Sequence, residues 1–228
     1  MQKKPTADQG YAKRRAAGDD GWDGQESAYA NRKAAIEKAL AKLKGPKPLR
    51  LLELGCGAGN LTLWLAAKGY EAHGVDLAPA AVEWAREKNA AAKAKASFSV
   101  GDVTDLAAFG DGGFDIVIDG HCLHWLAGDD RRRTLASARR VLRAGGFLLV
   151  CSQCGEPKAL EQMKRDGMVY DPARRVVLNR QGLVAAYYGT PESIVAEVGS
   201  AGFAVLDWEV LTAPDGDELY VEAAKPAG

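Results

Sequence analysis

The side chains best able to do chemistry sit close together. Asp119–Trp125 reads DGHCLHW and holds two of the three histidines in the 228-residue chain, His121 and His124, with Cys122 between them. Histidine and cysteine in one short stretch suit a metal ion or a proton transfer. A metal needs about four ligands. The only further thiols nearby, Cys151 and Cys154, would face opposite sides of a continuing strand. No metal site is therefore expected. If residues 121–126 form a helical turn, Leu123 and Leu126 face inward and Cys122 leans towards them, while His121, His124 and Trp125 share the other side. The two histidines are then candidates to take a proton from an acceptor group or to position one.

A second motif lies upstream. LLELGCGAGN puts Gly55, Gly57 and Gly59 between an apolar run and a helical one. Glycines there let a backbone approach a ligand at the positive end of a helix. A dinucleotide fingerprint needs glycine at position 60, where this chain has Asn60, which disfavours a nicotinamide enzyme. Asp76 ends the next apolar run, 21 residues after Gly55, where a carboxylate can accept from ribose hydroxyls. Asp102, in VGDVTDL, ends a third run, where it can meet an exocyclic amine.

These positions need a scaffold, and the chain supplies an alternating one. Residues 26–43 are Ala-rich with Ile36, Leu40 and Leu43 at helical spacing, and Gly45-Pro46 ends that helix. Strands are expected at 49–55, 71–76, 97–100, 114–119 and 147–152, with helices at 60–69, 78–94 and 131–146 between them. Strands separated by helices imply parallel βαβ units. Thr190 and Pro191 open a further helix as N-cap and first turn. AVLDWEVL and ELYVEAAK, joined by TAPDGD, read as a terminal antiparallel hairpin. Residues 1–24 read as a polar N-terminal segment or lid. Residues 25–228 read as a single domain with a lid insertion at about 155–190 that shows no regular period.

The pieces LLELGCGAGN, GVDLAPAAVEWA, VGDVTDL, FDIVIDGHCLHWL and RVLRAGGFLLV, in that order, resemble the class I S-adenosylmethionine-dependent methyltransferases of small-molecule type. The resemblance covers about residues 25–152 and 190–225. It implies an α/β fold with a Rossmann-like, mostly parallel seven-stranded sheet of order 3-2-1-4-5-7-6, strand 7 antiparallel and helices on both faces. It also implies S-adenosyl-L-methionine as cofactor. Gly55, Gly57 and Gly59 would line the methionine part, with Glu53 supporting the turn and Cys56 structural within it. Asp76 would hold the ribose, Leu77 would pack on adenine, and Asp102 would accept from the adenine amine beside Val103. Asp119 would face the cofactor's amino group, partly through its backbone carbonyl.

In such proteins the N-terminal segment and the stretch after strand 5 meet the substrate. Here these carry Tyr11, Trp22, Tyr29, Tyr170, Arg175 and Arg180, which suit a compact aromatic or carboxylate-bearing molecule. A nucleic-acid substrate is disfavoured. Lys and Arg balance Asp and Glu at 30 each, and the Asn/Asp-Pro-Pro-aromatic motif of exocyclic-amine methyltransferases is absent. The 12 cations against 6 anions in residues 1–50 read as a solvated face. No run spans a bilayer and the start is not a secretory signal, so a cytoplasmic enzyme with reduced thiols is expected. Two other readings stand beside methyl transfer to O, N or S of a small molecule. One is thiol or metalloid methylation through Cys122, Cys151 and Cys154, and the other is a non-catalytic cofactor-binding regulatory protein.

Overall fold

A computed structural model of the chain describes residues 5–43, 48–213 and 216–227. In order these form α1 (Pro5–Ala16), a 3-10 turn (Glu26–Tyr29), α2 (Ala30–Leu40), β1 (Arg50–Leu54), α3 (Asn60–Ala67), β2 (Glu71–Asp76), α4 (Pro79–Ala92), β3 (Ser97–Val100) and β4 (Phe114–Gly120). Then come a second 3-10 turn (Leu123–Trp125), α5 (Asp129–Val141), β5 (Leu142–Cys154), α6 (Leu160–Arg165), β6 (Val169–Asp171), β7 (Val176–Leu178), β8 (Val184–Tyr187), α7 (Pro191–Ser200), β9 (Ala204–Ala213) and β10 (Gly216–Ala224). No helix among them is long and apolar enough to cross a membrane.

Seven strands form one sheet in the order β3-β2-β1-β4-β5-β10-β9. β9 and β10 take the sixth and seventh places of the expected order, and β10 runs antiparallel to both of its neighbours. Alternation along the strands divides the core. Leu51, Ile116, Ile118, Phe147, Leu149 and Tyr220 pack against α2 and α3. Leu52, Val117, Leu148, Val150, Leu219 and Val221 pack against α5 and α7. A sheet covered on both faces suits the near-continuous apolar runs of β1, β4 and β5.

The structure departs from the sequence reading in four places, one of them at Leu142, where β5 begins inside the run expected to be helical to residue 146. Residues 5–16 are helical, although they carry no apolar stripe. α1 is held by docking instead: Asp8 accepts a hydrogen bond from Ala80 N at 2.9 Å, and Arg15 pairs with Glu87 at 2.5 Å. Asp8 thus caps α4, whose own N-cap residue is Ala78. The helix expected over 26–43 opens as a 3-10 turn and ends at Leu40. Its stop at Gly45-Pro46 lies outside the described residues, as do Pro214 and Asp215 of the hairpin turn.

The insertion is ordered as α6 and a three-stranded antiparallel sheet, β6-β7-β8. Its strands are too short for period counting, but their turns have identifiable side chains. Asp171 Oδ1 accepts from Ala173 N and Arg174 N, and Asn179 Oδ1 accepts from Gln181 N and Leu183 N.

Thr190 caps α7, its side chain accepting from Ser193 N at 3.1 Å. Thr190→Ala should cost about 1 kcal/mol, lowering the thermal midpoint by roughly 2–4 °C. An unchanged midpoint in a melting experiment would show that the cap contributes nothing.

Candidate active site

The glycine turn lies at the carboxyl end of β1. Gly55, Gly57 and Gly59 have φ of +65°, +51° and +80°, a region that disfavours side chains. A Cβ on Gly55 would lie 2.5 Å from Cys122 Cβ, and one on Gly57 would lie 2.5 Å from the Tyr11 hydroxyl. Asp76, ending β2, ties the turn down. Its Oδ2 accepts from Gly57 N and its Oδ1 from Ala78 N, both at 2.9 Å. Burial raises the Asp76 pKa against the pull of those two bonds. Leu77 beside it is 45% exposed. Asp102 follows β3, its Oδ1 accepting from Thr104 N at 2.9 Å, and Val103 is buried next to it.

The N-terminal segment covers this turn. Tyr11 packs with Ala58, Ala78, Ala81 and Trp84, and Trp22 packs against them. Asn60 Nδ2 donates to Glu26 Oε2 at 2.7 Å, and Lys88 Nζ donates to Asp20 O. Tyr11 and Trp22 lie 5.0 Å apart by ring centroid, and Trp22 meets Trp125 edge-on at 6.1 Å. Tyr29 is buried beneath, its hydroxyl close to Gly21.

DGHCLHW runs from the end of β4 into the second 3-10 turn. Asp119 Oδ1 accepts from Cys122 N and Leu123 N at 2.8 and 2.9 Å, so this carboxylate folds back to fix the turn. Its Oδ2 is buried with no hydrogen-bond partner among the described residues. Gly120 is required because the Glu53 carboxylate lies where a Cβ would stand. Glu53 in turn accepts from the Thr62 hydroxyl. Leu123 is buried as expected, and Cys122 is half-buried against Gly55. His124 does not look outward. It is 2% exposed, with its ring 4.6 Å from that of His121, while Trp125 is exposed and His121 partly so.

His121 adopts φ +77°, a strained setting for a side chain with a Cβ. Its Nδ1 lies 2.9 Å from Arg32 Nη2. Arg32 comes from α2, is 4% exposed, and pairs with Asp23 at 3.0 Å and Glu218 at 3.2 Å. Burial opposes the Arg32 charge, but Asp23 and Glu218 outweigh it and raise its pKa. Arg131, on α5, clamps the same turn from the other side. It donates to Leu123 O at 2.6 Å, pairs with Glu197 at 2.6 Å, and lies over the Tyr187 ring at 4.6 Å.

Two buried acids hold protons unusually tightly. Burial pushes Glu53 up to about 8, against the Thr62 bond, and Asp119 up to about 7, against its two backbone bonds. Both therefore bind protons better in the folded chain than in the unfolded one, so their contribution to stability is lost as pH rises through those values. Burial lowers the pKa of His73 and of His121, so the stability lost through them on acidification lies below about pH 6.5 and does not cloud the window above it. Between pH 6.5 and 8 the ligand-free protein should lose about 1 kcal/mol per pH unit through Glu53. Glu53→Gln should flatten that slope in urea titrations; equal slopes would remove the assignment.

The cysteines are not brought together. Cys151 packs on the α2 side of the sheet and Cys154 on the α7 side. Burial raises both thiols, Cys154 to about 11. A substrate held jointly by Cys122, Cys151 and Cys154 is thus ruled out by strand alternation, and the thiol or metalloid reading is corrected.

The small sheet reaches the site through β8, which packs against the second 3-10 turn. Tyr170 packs edge-on to Tyr188 at 6.4 Å. Arg175 Nε donates to Tyr188 O at 3.0 Å, bracing the end of β8, and Arg180 Nε to Asp166 O at 3.1 Å, at the end of α6. Sequence reasoning missed Arg32, Glu218 and Arg131. A signal for Arg131 existed: it shares a helical stripe with Thr134, Leu135, Ala138 and Val141.

Residues 52–150 match the family model described as "Methyltransferase domain". The chain is similar to an ajmaline N-methyltransferase of Rauvolfia serpentina, 33% identical over 125 residues, which are 51% of this chain and 42% of that protein. It is also similar to a ubiquinone biosynthesis O-methyltransferase of Xanthomonas axonopodis pv. citri, 30% identical over 142 residues, covering 60% of this chain and 58% of that one. The match thus spans about half the length of these curated relatives. Among solved structures, a Burkholderia thailandensis 1,6-didemethyltoxoflavin-N1-methyltransferase with bound 1,6-didemethyltoxoflavin and S-adenosylhomocysteine superposes with TM-score 0.70. That likeness covers 96% of this chain and 84% of that one at 21% identity, and shows the shared fold.

Proposed function

We propose that residues 52–150, which match the "Methyltransferase domain" model, form a class I methyltransferase domain, and that the protein transfers a methyl group from S-adenosylmethionine to an oxygen, nitrogen or sulfur atom of a small molecule. The observation that carries this reading is the cradle at the carboxyl edge of β1, where three glycines of positive φ are tied by Asp76 through Gly57 N.

The residues present suit the cofactor. Its ammonium group needs an acceptor, and Asp119 keeps one buried oxygen, unpartnered among the described residues, beside the glycine turn. Two hydroxyls need a carboxylate, which Asp76 supplies. An adenine needs an apolar contact, for which Leu77 is exposed and Val103 adjacent, and Asp102 lies next in line for its amine. When bound, this cofactor supplies an electrophilic methyl group. The protein's part is alignment and exclusion of water. Gly55, Gly57 and Gly59 permit close approach, and Glu53 and Cys56 support the turn from within the core. Tyr11, Trp22 and Tyr29 close it from above, and His121 and His124 line the acceptor side.

An N-methyltransferase and an O-methyltransferase among the relatives support a small-molecule acceptor and leave nitrogen and oxygen both open. Tyr170, Trp22 and Trp125 favour an aromatic one. Label transfer from methyl-tritiated S-adenosylmethionine to a panel of amines, phenols and thiols would test the reading. Binding of the cofactor without transfer to any class would support a regulatory binder instead.

A further inference from the structure

Nothing in the family resemblance or in the motifs points to Arg32, yet it is the group that touches His121. A guanidinium has five donors, no acceptor, and does not lose its proton. With Arg32 Nη2 at 2.9 Å, His121 Nδ1 must therefore be the acceptor. An imidazole that accepts at Nδ1 carries its proton on Nε2. That Nε2 is buried and makes no hydrogen bond with any described residue. Glu218 Oε1 lies within ion-pair distance of it, at 3.3 Å, but off a hydrogen-bonding line. Glu218 is engaged elsewhere, by Arg32 and by the Tyr220 hydroxyl.

Resting on the proposal that this cleft is the methyl-transfer site, we infer that Arg32 is its positioning residue. It locks His121 as a neutral imidazole with the proton on Nε2, so that His121 faces the acceptor molecule as a hydrogen-bond donor and takes no proton from it. This separates the two roles that the motif alone leaves open. A base needs a free lone pair, and the only lone pair on a neutral His121 is committed to Arg32.

The surroundings agree from every side. Arg32 stands on α2, His124 in the 3-10 turn, Asp23 in the N-terminal segment, Glu218 and Tyr220 on β10, Asp119 on β4, Cys151 on β5 and Glu53 on β1. Burial lowers the His121 pKa first, and His124 and Arg32 add to that. The carboxylates do not reverse it: Glu218 and Asp23 are paired with Arg32, while burial holds the Glu53 and Asp119 pKa values well above the ordinary carboxylate range. The strained φ of +77° is consistent with a ring held in place by its partners. The substrate class follows in outline. The acceptor atom arrives with its lone pair already free, as a neutral amine nitrogen does, and keeps that pair for the methyl group while a neighbouring oxygen accepts from the N–H.

The test is long-range proton–nitrogen correlation NMR on the full chain, which reads ring tautomers directly. With three histidines in the chain, His121 is assigned by the signal that His121→Gln removes. The expected result is a protonated Nε2 and bare Nδ1 that do not change from about pH 5.5 to about 8.5. Arg32→Met should let the tautomer with its proton on Nδ1 appear, burial still holding the ring below the ordinary value of about 6.5, and Arg32→Lys, which keeps a donor, should restore the single tautomer. A protonated Nδ1, or a ring that already titrates near that value in the unaltered protein, overturns the inference even if Arg32→Met fails to fold. Calorimetry with S-adenosylmethionine on the same samples separates the two questions. Loss of cofactor binding would defeat the methyl-transfer reading and leave the tautomer result standing.

Discussion

Asp76→Ala should weaken binding of S-adenosylmethionine, and of its demethylated product, by roughly 100-fold, about 3 kcal/mol. The substitution removes the proposed ribose contact and also the anchor of the glycine turn. Gly57 N and Ala78 N both lose their acceptor, each at 2.9 Å. A hydrogen bond to a carboxylate is worth about 1.5–3 kcal/mol, and an orphaned buried donor adds to the loss. The same change relieves a buried charge whose pKa burial has raised, so the fold should survive better than the binding. Calorimetric titration, with circular dichroism to check folding, measures both. Undiminished affinity in a folded variant would move the cofactor away from Asp76 and take the functional proposal with it.

The second large effect is on stability. Arg131→Ala should destabilise the fold by about 3–5 kcal/mol, lowering the thermal midpoint by roughly 6–15 °C. Its side chain is 3% exposed, and its loss strips Glu197 and the Leu123 carbonyl of their partner at once. Arg132, one residue on, is the natural control. Its side chain is 75% exposed and pairs only with Asp129 in the preceding turn, so Arg132→Ala should change stability by less than about 0.5 kcal/mol. Equal midpoints for the two variants would show that the clamp on the 3-10 turn carries no stability. If Arg131→Ala folds, the His124 ring that follows Leu123 should also move, visible in the same nitrogen spectra.

The contrast between these neighbours bears on what a sequence can reveal. The order of the large sheet was legible only through the family resemblance, whereas the strands β1 to β5 were legible as apolar runs, most of them separated by helices, where short-range cues and chain order point one way. The glycine turn, Asp76 and Asp102 were legible for the same reason: each sits at the carboxyl end of a strand. α1 was not, because its stability comes from Asp8 and Arg15 meeting α4 some 72 residues away in sequence, and a 12-residue helix without an apolar face leaves no period. Arg32 was hidden in another way. It is one cation in an Ala-rich helix, and its meaning depends on His121 and Glu218, 89 and 186 residues further along. His124 was placed with His121 correctly, but how far the turn would bury it depended on tertiary packing. Tyr170 lies in a strand of three residues and Arg175 and Arg180 in the turns on either side of β7, where turn chemistry was the only local cue.

The edge-on contact between Trp22 and Trp125 has a spectroscopic consequence. Two indoles with centroids 6.1 Å apart and planes at 83° are close enough for their strong ultraviolet transitions to mix, giving a paired positive and negative band in circular dichroism. One partner belongs to the N-terminal segment and the other to the turn after β4. Trp64, Trp84 and Trp208 are not in such pairs among the described residues, so the couplet reports this one contact. Its amplitude is an optical gauge, free of any attached dye, of the fraction of molecules in which the N-terminal segment rests on the site. Followed in a stopped-flow instrument as S-adenosylmethionine is added, it would show whether that segment leaves its place on the turn.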